Sequence, residues 1–344
     1  MLSVFTIEQS QKWDEIVKSF KEYDVYYLSG YVKSFQIHGD GEPLLFFYED
    51  DMCRGINVVM KRDIAFDKHF IGKIEEGKYY DFATPYGYGG WLIEGNDYSE
   101  LFNAYQKWCI DNEIVSEFVR FHPVLKNQIY SANNYQVIAL GETVAIDTTN
   151  KESIWANFNP KNRNVIRKAI NSGIQIKKGL SKELLEAFIE IYNKTMDKDE
   201  ADDYYYFKED FYNCILNDLK DNATLFYAEL NEKIIAASIM IYANGRLNYH
   251  LSGSLRDYQN LAPSNMLLWK AAEWGNDIGC STFHLGGGVG SGEDSLFRFK
   301  KAFYRGNLCR YYIGKKIYNM KEYQDLVNLR VNCERLSFFP EYRG

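Results

Sequence analysis

At 344 residues the chain exceeds one ordinary hydrophobic core and suits two domains. Hydrophobic residues at 46% and aromatics at 16% supply both cores, and a formal net charge of −7 excludes a protein that coats nucleic acid nonspecifically, so no DNA partner is expected. Cysteines 53, 109, 214, 280, 309 and 333 form no CxxC pair and stand at no zinc spacing with histidine, which leaves no metal site and reads as reduced thiols of a cytoplasmic protein.

The start, MLSVFTIEQSQKWDE, has no basic segment before its first acid, so no signal peptide is expected. Thr6 to Phe20 reads as an amphipathic helix with Thr6 as its cap. Strands are expected around Val25–Leu28, Leu44–Tyr48 and Arg54–Val59. Leu101, Ala104, Tyr105, Trp108 and Cys109 form a helical stripe between Asp97 and Asn112, and Glu117–Phe121 and Val137–Ile146 read as strands. Residues 1–150 therefore suit a first layered domain of strands and helices.

Near Asn150 the texture changes, and a second domain is expected over 151–319. A basic helix opens it, followed by a strand at Ile174–Lys178 and helices at Ser181–Met196 and Lys208–Leu219. Strands at Thr224–Leu230, Ile234–Ala243 and Arg246–Ser254 are joined by the turn pairs Asn231-Glu232 and Asn244-Gly245. The run Ile234–Ala243 is about half a membrane span, so no transmembrane segment is expected and any lipid contact is peripheral. Pro263 opens a helix that Gly279 stops, and Ser281–Leu285 is a strand. A helix at Asp294–Phe303, a strand at Leu308–Ile313 and a last helix over Met320–Leu336 complete the chain. The fold class is α/β (α+β), and two closely packed domains are expected to leave a cleft.

Several constellations carry chemistry. Lys161, Arg163, Arg167 and Lys168 crowd one helix, with Arg163 and Arg167 on one face and no acid between Lys161 and Lys177. Such a helix is either a solvated face or an anion site whose guanidinium pair matches phosphate. TPYGYGG, Thr84–Gly90, is either a wide turn or a flexible ligand loop walled by Tyr86 and Tyr88, with Gly87 allowing close approach. LGGGVGSGED, Leu285–Asp294, matches neither GxGxxG nor a phosphate loop ending in GK[ST]. Glu293 and Asp294 there occupy the helix end a phosphate needs. Lys300, beside the stripe of Leu296, Phe299 and Phe303, reads by pattern alone as an ordinary snorkelling lysine. Strand alternation places Asn248, His250 and Ser252 on one face, where His250 is either a hydrogen-bonded structural residue or a base for an attacking amine.

Five pieces in order resemble the FemABX family of peptidoglycan-bridge aminoacyltransferases: TPYGYGG; RFHP at Arg120–Pro123; Trp155, Phe158 and the RNVIRKA run at 163–169; APSNMLLWKAAEW at 262–274; and Leu296-x-x-Phe299-Lys300-x-x-Phe303. The resemblance covers about residues 80 to 310. It implies two tandem domains like those of GNAT acyltransferases, mixed central sheets flanked by helices, with the last helix (320–344) folding back on the first domain. It implies N-acyl transfer to an amine of a cell-envelope precursor, peptidoglycan or polysaccharide. No cofactor is tightly bound, the co-substrate is aminoacyl-tRNA or acyl-CoA, and the acceptor is an envelope precursor or nucleotide-linked sugar. Lys300 falls on the family's substrate-contacting lysine. Tyr86, Gly87, Tyr88, Arg120, Arg163, Arg167, Lys168 and Ser252 are the expected binding residues, with His250 and Lys300 as catalytic ones. In a GNAT fold two neighbouring strands splay and a backbone N–H stabilises the oxyanion, roles that fall on Arg246–Ser254 and Ser281–Leu285. Two departures stand out. Arg256 to Ala262 lacks the glycines of a CoA loop, and no heptad arm for tRNA is present. The alternatives are an acyl-CoA-dependent N-acetyltransferase acting on an amino sugar and a non-catalytic glycan- or nucleotide-binding module.

Overall fold

The computed structural model describes residues 1–330 and 338–344. The chain forms two compact units, residues 1–140 with 311–344, and residues 141–310. The sequence boundaries expected at 150/151 and 319/320 shift by about ten residues. The divisions fall inside strands β7 and β13, whereas the change of texture at Asn150 only marks where a helix is capped by its own Asn side chain.

The first unit contains β1 (Leu2–Phe5), α1 (Ser10–Ser19), α2 (Ser29–His38), β2 (Glu42–Glu49), β3 (Cys53–Asp63), β4 (Tyr80–Ala83), β5 (Leu92–Gly95), α3 (Ser99–Asp111), β6 (Ile114–Arg120) and the short α4 (Gln128–Ser131). β7 (Gln136–Asp147) leads into the second unit. There follow α5 (Lys151–Asn157), α6 (Pro160–Asn171), β8 (Gln175–Gly179), α7 (Lys182–Lys198), α8 (Glu209–Asp218), β9 (Ala223–Leu230), β10 (Lys233–Ala243), β11 (Arg246–Ser254), α9 (Pro263–Asp277), β12 (Thr282–Gly286) and α10 (Ser295–Lys301). β13 (Cys309–Ile317) and α11 (Met320–Leu329) return to the first unit, and the part of the expected last helix beyond Arg330 lies outside the described residues.

In the first unit the strand order is β1-β2-β3-β4-β6-β13, with β5 on β3; only the β4–β6 pair is parallel. Its core gathers Phe46, Phe82, Trp91, Tyr105 and Phe121. Tyr323 and Leu326 of α11 join Ile64, Phe70, Val115 and Tyr342 in a second cluster. The strand expected at Val25–Leu28 is instead a single 3-10 turn, Val25–Tyr27, started by the Asp24 carboxylate accepting from the Val25 N–H. A four-residue apolar run carries no periodicity that tells a buried strand from a buried turn. Helix α2 and strands β4 and β5 were not anticipated either, being short or apolar on several faces.

The second unit has the order β7-β12-β11-β10-β9-β8, with β11 and β12 parallel and the other pairs antiparallel. Helix α9 covers one face through Leu267, Leu268, Ala271 and Ala272. Helix α7 packs so closely on β11 that a Cβ at Gly253 would meet the Ile191 carbonyl at 2.9 Å. Among the described residues no helix is long and apolar enough to cross a membrane, and no cluster of three metal-ligating side chains occurs.

Candidate active site

Strand β11 faces different neighbours along its two edges, and both matter. Against β10 the register slips: Tyr249 pairs with Met240 and Leu251 with Ile239, so His250 is an extra, bulged residue. A bulge re-aims side chains that strict alternation would send to opposite faces. The expected common face of Asn248, His250 and Ser252 is thereby broken, because Tyr249 and Ser252 now meet, Oη to Oγ at 2.5 Å. Against β12, pairing runs only from Arg246–Thr282 to Asn248–His284. On its other edge β12 stays paired with β7 from Thr282 to Gly286, while past Asn248–His284 its pairing with β11 ends and the two parallel strands open into a fork.

Lys300 stands at that fork. Its Nζ donates to the carbonyl oxygen of Gly287, one residue past β12, at 2.7 Å. The same ammonium lies 6.0 Å from the ring centre of Tyr249, the first residue of β11 past the paired register. It is 9% exposed, so the snorkelling expected from pattern is replaced by burial. Loss of hydration pushes its pKa down to about 8, against a smaller opposing pull from the Asp294 carboxylate. Asp294 caps α10 by accepting from the Phe297 N–H and also takes the Val289 N–H, each at 2.7 Å. A Cβ at Gly288 would lie 2.4 Å from that carboxylate, so the glycine-rich loop is shaped to fold over its own capping acid. The loop holds an internal carboxylate at the helix start, consistent with its failing as a phosphate cradle. His250 is half-buried, and loss of hydration pushes it down to about 3. It is therefore neutral across the working range and a weak proton acceptor.

The basic helix divides its charges among internal partners. Arg163 Nη1 donates to the carbonyls of Ala156 (2.9 Å) and Phe158 (3.1 Å), closing the C-terminal end of α5. Arg167 donates to Asn164 and lies 5.5 Å from the Trp155 ring centre, while Lys168 donates to the Asn260 carbonyl at 2.9 Å. We expect Arg163→Ala to lower unfolding free energy by about 1 kcal/mol, since these donor–carbonyl contacts at a helix end are lost. Urea denaturation measures it; an unchanged midpoint would show that the cap contributes nothing. The Lys168 contact falls on the 3-10 turn Arg256–Leu261, which ends in left-handed Ala262 and leads into α9 where a CoA loop would stand.

In the first unit, TPYGYGG is held at nearly every carbonyl. Tyr31 Oη donates to Tyr86 O at 2.6 Å, Tyr27 Oη to Gly90 O at 2.8 Å, and Asn127 Nδ2 to Gly89 O at 2.9 Å. Gly87 has φ of +91°, and a Cβ there would strike the Tyr26 ring at 2.5 Å. The segment, read from sequence as either a wide turn or a flexible ligand loop, is thus pinned, with Gly87 serving close packing. Tyr86 stacks on Phe35, and Tyr88 packs edgewise on Tyr26 and Tyr311; both remain half-buried. Arg120 donates to the carbonyls of Thr84 and Pro85, which fixes the loop's first turn. Tyr249 and Asp294 were missed as site residues. The capping pattern of Asp294 was legible, whereas Tyr249 acquires its place only through the bulge.

Residues 160–301 match the family model described as an acetyltransferase (GNAT) domain. No curated protein sequence matches the chain. Among solved structures, FemX aligns with a TM-score of 0.66 at 14% identity over 94% of this chain and 99% of its own. The C-terminal domain of a candidate lysylphosphatidylglycerol synthetase from Agrobacterium fabrum aligns at 0.56 and 13% identity, covering 92% of each chain. L-PGS from Bacillus licheniformis aligns at 0.56 and 14% identity, over 89% of this chain and 91% of that one. The architecture implied by the resemblance to FemABX proteins is borne out at the level of fold by the likeness to FemX, and the residues that match the GNAT domain model lie within the second unit.

Proposed function

From a chain with a GNAT domain on a FemX-like fold, we propose an N-acyltransferase that moves an activated acyl or aminoacyl group to an amine of a cell-envelope precursor in the cytoplasm. The observation that carries this reading is the Lys300 ammonium, buried at the fork between β11 and β12 and shared between Gly287 O and the Tyr249 ring. An acyl carbonyl set into the fork meets a positive charge in a water-poor setting, where such a charge stabilises an oxyanion best. The acceptor amine attacks the carbonyl carbon, the bond to the leaving sulfur or oxygen breaks, and the amine's surplus proton leaves with the departing group or to solvent. Neutral His250 is not assigned the base, because its burial opposes taking up that proton.

GNAT domains typically take acyl-CoA, which supports a thioester donor; the resemblance to FemABX proteins supports an aminoacyl-tRNA ester as the alternative. The name of the Agrobacterium relative points to lysyl transfer onto a lipid, also an aminoacyl reaction. On the acceptor side, Tyr86 and Tyr88 offer half-buried aromatic faces suited to a sugar or nucleobase. Arg167 and Lys168 are the cations of the basic helix best placed to exchange an internal partner for a phosphate, since among the described residues each makes one side-chain hydrogen bond rather than the multiple cap of Arg163. The purified protein is incubated with acetyl-CoA or charged tRNA, together with a nucleotide-linked amino sugar or a lysine-bearing muropeptide. A mass gain of one acyl or aminoacyl group on the acceptor is expected with one donor. No gain with either donor, alongside tight binding of the nucleotide sugar, overturns the enzyme reading in favour of a binding module.

A further inference from the structure

We propose that the buried pair Asp24–His122, acting through Asn127, is the positioning element that sets the Thr84–Gly90 loop for acceptor binding. The proposal rests on the reading of that loop as an acceptor surface, and every residue in it belongs to the first unit.

Asp24, His122 and Asn127 are each 0% exposed, so none of them meets solvent or ligand directly. His122 follows β6 and has its two ring nitrogens in different roles. The Leu125 N–H donates to Nδ1 at 3.2 Å, which makes that nitrogen the acceptor and leaves the proton on Nε2. Nε2–H then points at Asp24 Oδ2, 3.0 Å away. The other oxygen of Asp24 accepts from the Val25 N–H at 2.6 Å and starts the turn that carries Tyr26 and Tyr27. One carboxylate thus joins the turn bearing Tyr26 and Tyr27 to the segment after β6.

That segment holds the loop directly. The His122 N–H donates to Asn127 Oδ1 at 2.8 Å, fixing which way the amide faces. Asn127 Nδ2 consequently points at Gly89 O (2.9 Å), Trp91 O (3.2 Å) and the Tyr27 hydroxyl (3.2 Å), and that hydroxyl donates onward to Gly90 O. The imidazole ring itself lies 5.6 Å from the Tyr88 ring and 5.8 Å from Tyr26, supporting both from beneath. Loop carbonyls and loop rings are therefore oriented by the same buried group. Thr84, Pro85, Gly89 and Gly90 are buried, so their carbonyls depend on these internal donors rather than on water.

An asparagine at position 24 has a single oxygen, so Asp24→Asn must give up either the Val25 N–H or His122 Nε2–H. His122→Gln keeps a donor at the Nε2 position, whereas His122→Asn keeps only the Nδ1-like acceptor. Hydrogen exchange followed by mass spectrometry reads the loop without any substrate. Amides of Thr84 and Gly89, bonded to Phe118 O and Arg120 O, are expected to exchange about tenfold or more faster in Asp24→Asn and His122→Asn, with smaller change in His122→Gln and none in β9–β11. Should the first two not fold, Tyr27→Phe removes only the hydroxyl donated to Gly90 O and is expected to loosen the same amides. Unchanged exchange at Thr84 and Gly89 in folded variants overturns the proposal. With an acceptor in hand, Asp24→Asn is expected to raise its KM several-fold with kcat nearly unchanged, and a loss confined to kcat would also overturn it. Faster loop exchange with an unaltered KM keeps the positioning role and instead removes the loop from the acceptor site.

Discussion

Lys300→Met is expected to lower turnover about 100-fold or more while raising stability at neutral pH. The first effect follows from removing a buried cation aimed into the fork, a loss comparable with deleting one oxyanion donor. The second follows from the depressed pKa. The unfolded chain holds the lysine proton up to its ordinary value of 10.5, the folded chain only to about 8. The unfolded state therefore binds more protons between those values, and the ammonium opposes folding at every pH below about 8. At pH 7 that penalty is about 3 kcal/mol, reduced by the hydrogen bond to Gly287 O that methionine forfeits. A net gain of about 1 to 2 kcal/mol is expected, shrinking as the pH is raised through 10. Denaturation of wild type and variant at pH 7 and 10, beside a rate assay, checks both parts. A variant that turns over normally, or that is destabilised at pH 7, removes Lys300 from the proposed role. Because the ammonium is the active form in this reading, wild-type kcat/KM is expected to fall above about pH 8.

The largest stability effect is expected far from that lysine in sequence, at Glu117 in the first unit. Its carboxylate is 1% exposed and accepts from Tyr318 Oη at 2.6 Å, Tyr135 Oη at 2.7 Å and Tyr105 Oη at 3.2 Å. Glu117→Ala leaves three buried hydroxyls without their acceptor and opens a cavity, at a cost of about 4 kcal/mol. Burial raises the Glu117 pKa above the ordinary carboxylate value, the tyrosine donors opposing it. A raised folded pKa means stability present at low pH and lost as pH rises through the folded value. Glu117→Gln, neutral throughout, is therefore expected to cost less than alanine and to gain on wild type as pH rises above the ordinary carboxylate range. Urea midpoints within and above that range measure it, and an alanine variant within about 1 kcal/mol of wild type would show that the tyrosine cage carries little.

Much of the second unit was legible because its elements have clear periods and punctuation. The turn pairs Asn231-Glu232 and Asn244-Gly245 carry left-handed residues between β9, β10 and β11, and Pro263 begins α9. The first unit was harder, since Val25–Tyr27 and Ser29–His38 are apolar on most sides and their shape depends on Asp24 and on packing. At the site, pattern marked Lys300 only as a flanking lysine, and its weight came from the motif resemblance.

The amino-acid sequence by itself determined the helices with a clean stripe, the alternating strands and the ordered motifs that point to acyl transfer, since propensity and periodicity act over neighbouring residues. Only the tertiary structure decided that Lys300 is buried, that His250 is a bulged residue and that Arg163 closes a helix end. It alone decided that the glycines of Thr84–Gly90 serve a pinned loop. Each of these depends on which groups from distant segments exclude water or supply a partner. A lysine between Phe299 and Lys301 looks the same whether its ammonium ends in solvent or against Gly287 O, and only the fold of β11, β12 and α10 separates the two.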